Sequence, residues 1–158
     1  MHPRVREFVD RADARYGFDA SVKEFDDELR TAADAAEALD CSVAEIASSL
    51  VFLADGDPVV VVASGANRVD ESKLAAAVGV PPDTVEMADP ETVRGTTGWA
   101  IGGVPPICHE RSVPVYVDET LVDHATVWAG AGVPEALFSI TPTQLVDFAD
   151  ATPADIAE

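Results

Sequence analysis

Ser49-Leu50-Val51-Phe52-Leu53 and Val59-Val60-Val61-Val62-Ala63 flank the cluster Asp55-Gly56-Asp57-Pro58. Two runs rich in β-branched and aromatic residues around such a cluster read as a β-hairpin. The second run is apolar at every position. Both of its faces must therefore be covered, which places it centrally in a sheet or barrel.

Toward the N-terminus, His2 to Tyr16 reads as a charged amphipathic helix, with Val5, Phe8, Val9 and Ala12 at helical spacing. Ser21 to Phe25 reads as a short strand. Thr31 to Leu39 is a second, alanine-rich helix that ends near Asp40, with Thr31 and Asp34 as a capping pair. Toward the C-terminus, Asp70 to Val78 reads as a helix stopped by Gly79. Thr84 to Met87 is a strand, and Asp89-Pro90-Glu91 opens a helix with Pro at its first position. Gly95 to Pro106 is a Gly/Pro-rich loop. Val113 to Val117 and Ala136 to Ile140 are later strands, and Thr141-Pro142 and Thr152-Pro153 each begin a helix. Strands and helices interspersed without regular βα alternation give an α+β class and not a doubly wound sheet. Residues 1–158 contain no repeat or linker that would divide them, so one domain is expected, with residues 1–30 as an N-terminal helix and strand extension.

Composition narrows the function classes. No apolar run approaches the ~20 residues that cross a bilayer, and the charged N-terminus lacks a signal-peptide pattern; the expected compartment is the cytoplasm. Two cysteines, Cys41 and Cys108, are too few for a disulfide scaffold and lack metal-ligand spacing. Asp and Glu total 29 against 10 Lys and Arg, a formal net charge of -19. The acids are scattered, not gathered in a tail, and so repel one another everywhere on the surface. Molar salt shortens the screening length to about 3 Å and removes most of that cost, so a salt-loving cell is expected. No Walker loop, dinucleotide fingerprint or basic patch with interleaved aromatics is present, which argues against DNA and extensive nucleic-acid binding.

Three groups of residues remain as candidates for chemistry. Gly98-Trp99-Ala100-Ile101-Gly102-Gly103-Val104-Pro105-Pro106 offers backbone N–H groups that can cradle an oxyanion, with prolines fixing the exit geometry. Ser48 and Ser49 open the first hairpin strand but stand in no Gly-x-Ser-x-Gly elbow, so they read as pocket hydroxyls and not as a triad nucleophile. Among the histidines, His109 follows the loop directly, His124 sits before Trp128, and His2 lies at a terminus where no role is expected. No histidine pattern supports a metal.

Taken in order, several stretches resemble the YbaK/ProX family of aminoacyl-tRNA deacylases. They are Thr31 to Leu39, Ile46 to Phe52, Arg68-Val69-Asp70, Lys73 to Gly79, Gly98 to Pro106, Val115-Tyr116-Val117-Asp118 and Ala151 to Ile156. The resemblance implies a mixed, β-barrel-like sheet flanked by helices. It implies hydrolysis of the ester joining a wrong amino acid to tRNA, without metal or other cofactor. The partners implied are the acceptor end of aminoacyl-tRNA and an aminoacyl-tRNA synthetase, with no membrane. On it, Gly102, Gly103 and His109 are the catalytic candidates, and Ser48, Ser49, Pro106 and Gly130 the substrate-binding ones. The chain departs from the family at Ser48, where a lysine is usual, and at Gly130, where a pocket serine is common. The alternatives at this point are a binding module that keeps the pocket without the chemistry, and a hydrolase of small aminoacyl esters.

Overall fold

A computed structural model describes all residues from Met1 to Glu158. The hairpin is formed by β2 (Ile46–Ala54) and β3 (Asp57–Ser64), antiparallel with Ala54 opposite Asp57. Asp55 and Gly56, the two residues of the turn, both have positive φ, 51° and 85°. That geometry gives the turn the twist its strands need, and an Asp-Gly pair tolerates it best.

The hairpin is the middle of an eight-stranded mixed sheet in the order β1-β7-β6-β2-β3-β5-β8, with β4 added to β2. The other strands are β1 (Val22–Glu24), β4 (Val85–Met87), β5 (Val115–Asp118), β6 (Val127–Gly130), β7 (Ala136–Ile140) and β8 (Thr152–Ala154). The helices are α1 (Pro3–Tyr16), α2 (Ala32–Leu39), α3 (Glu71–Val78), α4 (Pro90–Thr97), α5 (Glu119–Val122) and α6 (Pro142–Ala149). The expected α+β class, with a mixed sheet flanked by helices, holds.

β3 shows why its run is apolar throughout. Val60 and Val62 face the main core, with Val5 and Phe8 of α1, Trp99, Val117 and Phe138. Val59 and Val61 face a second core, with Leu74 of α3, Val85 and Ile156. All four valines are at most 2% exposed, and burying each contributes about 1.5–3 kcal/mol.

Several expectations need correction. Thr152-Pro153 does not start a helix: it lies in β8, parallel to β5, with Pro153 opposite Val117. β8 ends the pairing path, and an edge strand is where a residue without an N–H is tolerated. Gly95 belongs to α4, so the loop starts at Gly98, whose left-handed backbone ends that helix. His2 has a role after all, because its Nδ1 accepts the N–H of Arg4 at 3.0 Å and caps α1.

The end of β5 carries the one buried carboxylate of the sheet. Asp118 is 1% exposed and accepts from Ser64 N–H (3.2 Å), Asn67 Nδ2 (2.9 Å) and Thr120 N–H (3.0 Å). It ties the end of β3 to the start of α5. Asp118→Ala would strand these donors, at a cost of about 3 kcal/mol. Urea unfolding at neutral pH should show that loss; a change below about 0.5 kcal/mol would refute the clamp.

Candidate active site

β2 has two edges with different fates. One pairs β3 along the strand; the other pairs β6 only at Ile46 and Ala47 and β4 only at Phe52 to Ala54. Residues 48–51 therefore have no strand partner on that second edge. Ile46 O turns toward β3, where it accepts from Gly65, whereas Val51 O turns to the open edge, where it accepts from Ala88 at 3.0 Å. Backbone groups alternate along a strand, so Ser49 shares Val51's direction and presents its N–H and C=O to the gap.

A cavity of about 280 Å³ occupies this gap. Ala47 to Val51 form its floor, Leu29 to Ala32 and Ala35 one wall, and Ile101, Gly102, Val104 and Gly130 the other. Met87, Ala88 and Val93 lie at the β4 end, with Pro134 and Leu137 opposite. Ser48 and Ser49 thus line one cavity with Gly102 and Gly130. The Ser49 hydroxyl is buried and has no hydrogen-bond partner, a cost of about 1–3 kcal/mol that a ligand would relieve. Arg30 is the only ionisable residue in the lining. It is largely exposed, 3.5 Å from Glu28, and a pair so exposed is worth little.

The loop treats its two central glycines differently. Gly103 is buried, and its N–H donates to Ala100 O at 3.1 Å while its C=O accepts from Gly132 at 2.9 Å. A Cβ there would sit 2.6 Å from the Val133 backbone, so only glycine allows this approach. Gly102, at φ +96°, makes no hydrogen bond through its N–H within the protein. Of the two donors expected to act together, Gly102 is the free one and Gly103 is spent on the turn. Gly130 lies against the same loop, where a Cβ would meet Val104 O at 3.3 Å. Pro106 is buried outside the cavity lining.

What fixes this loop is α1, which the sequence showed only as an extension. Arg4 donates to Gly98 O and stacks 4.1 Å from the Trp99 ring, on which Arg11 also lies at 5.4 Å. Trp99 is fully buried and donates from Nε1 to Cys108 O at 3.0 Å. Cys108, in the left-handed region at φ 64°, donates its N–H to Tyr16 Oη at 3.1 Å, and Arg15 donates to His109 O at 2.9 Å. Both ends of the loop are thereby fastened to one helix.

His109 does not line the cavity. Its Nε2 lies 2.7 Å from Pro105 O; a carbonyl only accepts, so Nε2 carries the proton in that bond. Burial, opposed by that bond and aided by the Arg15 charge, holds the imidazole below its ordinary pKa. Burial likewise raises the Cys108 thiol to about 11, so it is not a thiolate at neutral pH. Cys41 is raised as well, by burial and then by Glu45 and Asp40. Sequence reasoning missed Arg30, and also Met87 and Ile101, which are 60% and 56% exposed at the cavity rim. Large apolar side chains left in water beside a cavity are a sign of recognition, but only the fold shows which ones are exposed.

The depressed His109 pKa sets a sign for stability. Below its ordinary value of 6.5 the unfolded chain takes a proton that the native imidazole resists, so stability falls as pH drops through that value toward the lower native one. Between pH 7 and 5 the protein should lose more unfolding free energy than its His109→Gln variant, whose amide can still donate to Pro105. Equal losses would mean that the fold does not lower the pKa of His109.

Residues 26–148 match the model of the aminoacyl-tRNA editing domain family. The YwhH protein of Bacillus subtilis, itself uncharacterised, is 34% identical over 128 residues, 80% of each chain. EbsC of Enterococcus faecalis, a candidate Cys-tRNA(Pro)/Cys-tRNA(Cys) deacylase, is 31% identical over 126 residues, covering 74% of this chain and 76% of its own. Among solved structures, a candidate trans-editing enzyme for prolyl tRNA synthetase superimposes with a TM-score of 0.92 at 39% identity, covering 100% of this chain and 99% of its own. Across most of its length, then, sequence and fold agree: the chain belongs to the aminoacyl-tRNA editing domain family.

Proposed function

We propose that this protein is a trans-editing hydrolase that removes a wrong amino acid from the 3′ end of tRNA. The observation that carries the reading is one cavity lined by unused hydrogen-bonding groups, among them the Gly102 N–H and the buried Ser49 hydroxyl. The family match and the names of its relatives support the same reaction.

In this reading the aminoacyl group enters the apolar cavity and its carbonyl oxygen accepts from Gly102. Water adds to the carbonyl carbon, and the negative charge that develops on oxygen is held by that N–H, a donor of the kind worth about 2.7–4 kcal/mol in the barrier. The C–O ester bond then breaks, the ribose oxygen leaves with one proton of the attacking water, and the amino acid departs as a carboxylate, the other proton passing to solvent. The neighbouring ribose hydroxyl relays the proton, since no side-chain base lies in the lining. Ser48 and Ser49 bind the aminoacyl group. Gly103, Pro106 and His109 act one step back, Gly103 and His109 by holding the loop through Ala100 and Pro105, Pro106 by its fixed exit angle.

The usual lysine is absent at position 48, and Arg30 supplies the only charge in the lining. A guanidinium at the rim suits a phosphate of the acceptor end. With a net charge of -19 the rest of the surface repels RNA, so contact is confined to that end, or a synthetase delivers the tRNA. The cytoplasm of a salt-loving cell is the setting proposed, because salt lowers the self-repulsion.

Incubation with a panel of misacylated tRNAs in molar potassium chloride tests the reaction directly. Selective ester loss from one or two substrates is expected; no hydrolysis by folded protein would leave the binding-module reading. Ser49→Ala separates function from fold. It removes a buried, unpaired hydroxyl and should raise stability by up to about 1 kcal/mol, while kcat/KM falls about tenfold or more. A variant destabilised and fully active would overturn the assignment of Ser49.

A further inference from the structure

β4 and β6 leave the open edge of β2 at the same place. On the β4 side, Leu53 pairs Glu86 and Val51 O accepts from Ala88, so the next residue in register, opposite Ser49, is Pro90. Pro90 has no N–H and is the first residue of α4, capped by Asp89, so the chain turns away there. On the β6 side, pairing ends at Ala47 with Ala129. Ala131 donates to Ala136 instead, and Gly132 turns the chain at φ +105°. Ser48 and Leu50 direct their backbone groups to β3, and Val51 has given its C=O to Ala88. Ser49 alone keeps both an N–H and a C=O facing the cavity, and the gap in the sheet is one residue long. We propose that the aminoacyl group fills it as a one-residue antiparallel strand. Its α-amine donates to Ser49 C=O, and its carbonyl oxygen accepts from Ser49 N–H as well as from Gly102. This rests on the editing reading of the cavity and narrows its substrates to L-amino acids, read through their main-chain atoms.

The chemistry of the ligand matches that gap. Two directly opposed residues of an antiparallel pair exchange both of their N–H···O bonds. An aminoacyl ester carries an amine donor and a carbonyl acceptor on one α-carbon, which are the two groups such an exchange needs. The lining holds no carboxylate, and Arg30 is its only ionisable residue; the amine must therefore be met by a neutral acceptor, and Ser49 C=O is one with no strand partner. A developing oxyanion is best held by more than one donor. Gly103 N–H is spent on Ala100, so Ser49 N–H takes the second place beside Gly102. Stereochemistry follows from the ladder, because directly opposed residues project their side chains to the same face. Ser49 shares its face with Ala47 and Val51 of the main core, whereas Leu50 packs on the second core. An L-side chain then lies beside the buried Ser49 hydroxyl. A D-side chain points to the opposite face, or else turns amine and carbonyl away from Ser49.

The probe is 3′-L-alanylamino-3′-deoxyadenosine, compared with its D-alanyl and propionyl counterparts, which keep the nucleoside and lose the stereochemistry or the amine. Titrated into the full chain in molar potassium chloride, the L compound should shift the backbone amide signal of Ser49 and slow its hydrogen exchange about tenfold or more. It should also bind at least tenfold more tightly than either counterpart. Equal affinity for the L and D compounds would overturn the pairing. So would a Ser49 amide that exchanges as in the free protein while Gly102 shifts, or no binding of the L compound at millimolar concentration. Hydrolysis separates this inference from the reading beneath it. If misacylated tRNA is deacylated and the L and D forms of its amino acid are removed equally, the pairing fails and the editing reading stands. If no aminoacyl-tRNA is hydrolysed but the L compound still protects Ser49, the editing reading fails and the pairing stands.

Discussion

β2 must satisfy two edges at once, and it does so unequally. β3 covers one edge along the strand, while β6 and β4 divide the other and leave residues 48–51 uncovered. An uncovered strand edge in the middle of a sheet exposes backbone groups that seek partners. Here the opening is roofed by the Gly/Pro loop and the segment leading into α2, so it becomes a cavity and not a site of aggregation. The cavity and the unpaired Ser49 hydroxyl on its floor both follow from where β6 stops and β4 begins.

The roof has to hold its shape, because a donor displaced by 1 Å loses most of its value to a developing oxyanion. Gly103 binds the loop to Gly132, just after β6, by a backbone hydrogen bond, and α1 fastens Gly98, Cys108 and His109 from outside. Arginines do much of this work, although the protein has only 10 cations against 29 acids. Arg4, Arg11 and Arg15 are committed to the loop, and Arg30 lines the cavity. The charge balance thus leaves little positive charge for general attraction of RNA.

Much of this was legible in the sequence, for identifiable reasons. Hairpin and central strand could be read because Asp55-Gly56 has few conformations and Val59 to Val62 admit no exposed face. Ser48, Ser49, Gly102 and Gly130 could be placed near one another through the family resemblance, not through periodicity. β6 was missed because Val127-Trp128-Ala129-Gly130 is short and ends in glycine. Thr152-Pro153 looked like a helix start because Pro favours that position, yet edge pairing with β5 prevailed. Nor did spacing reveal that Gly103 spends its N–H on Ala100, that His109 faces Pro105, or that the first helix anchors the loop. Those facts depend on contacts between residues as far as 94 positions apart.

The account stands on Gly102 as the donor and the open edge of β2 as the floor. A crystal structure with a non-hydrolysable 3′-alanylamino-3′-deoxyadenosine tests both together. The carbonyl oxygen should accept from Gly102 N–H at about 3 Å, with Ser49 Oγ hydrogen-bonded to the aminoacyl group. A ligand bound elsewhere, or one in the cavity that leaves Gly102 N–H and Ser49 unpaired, would contradict it.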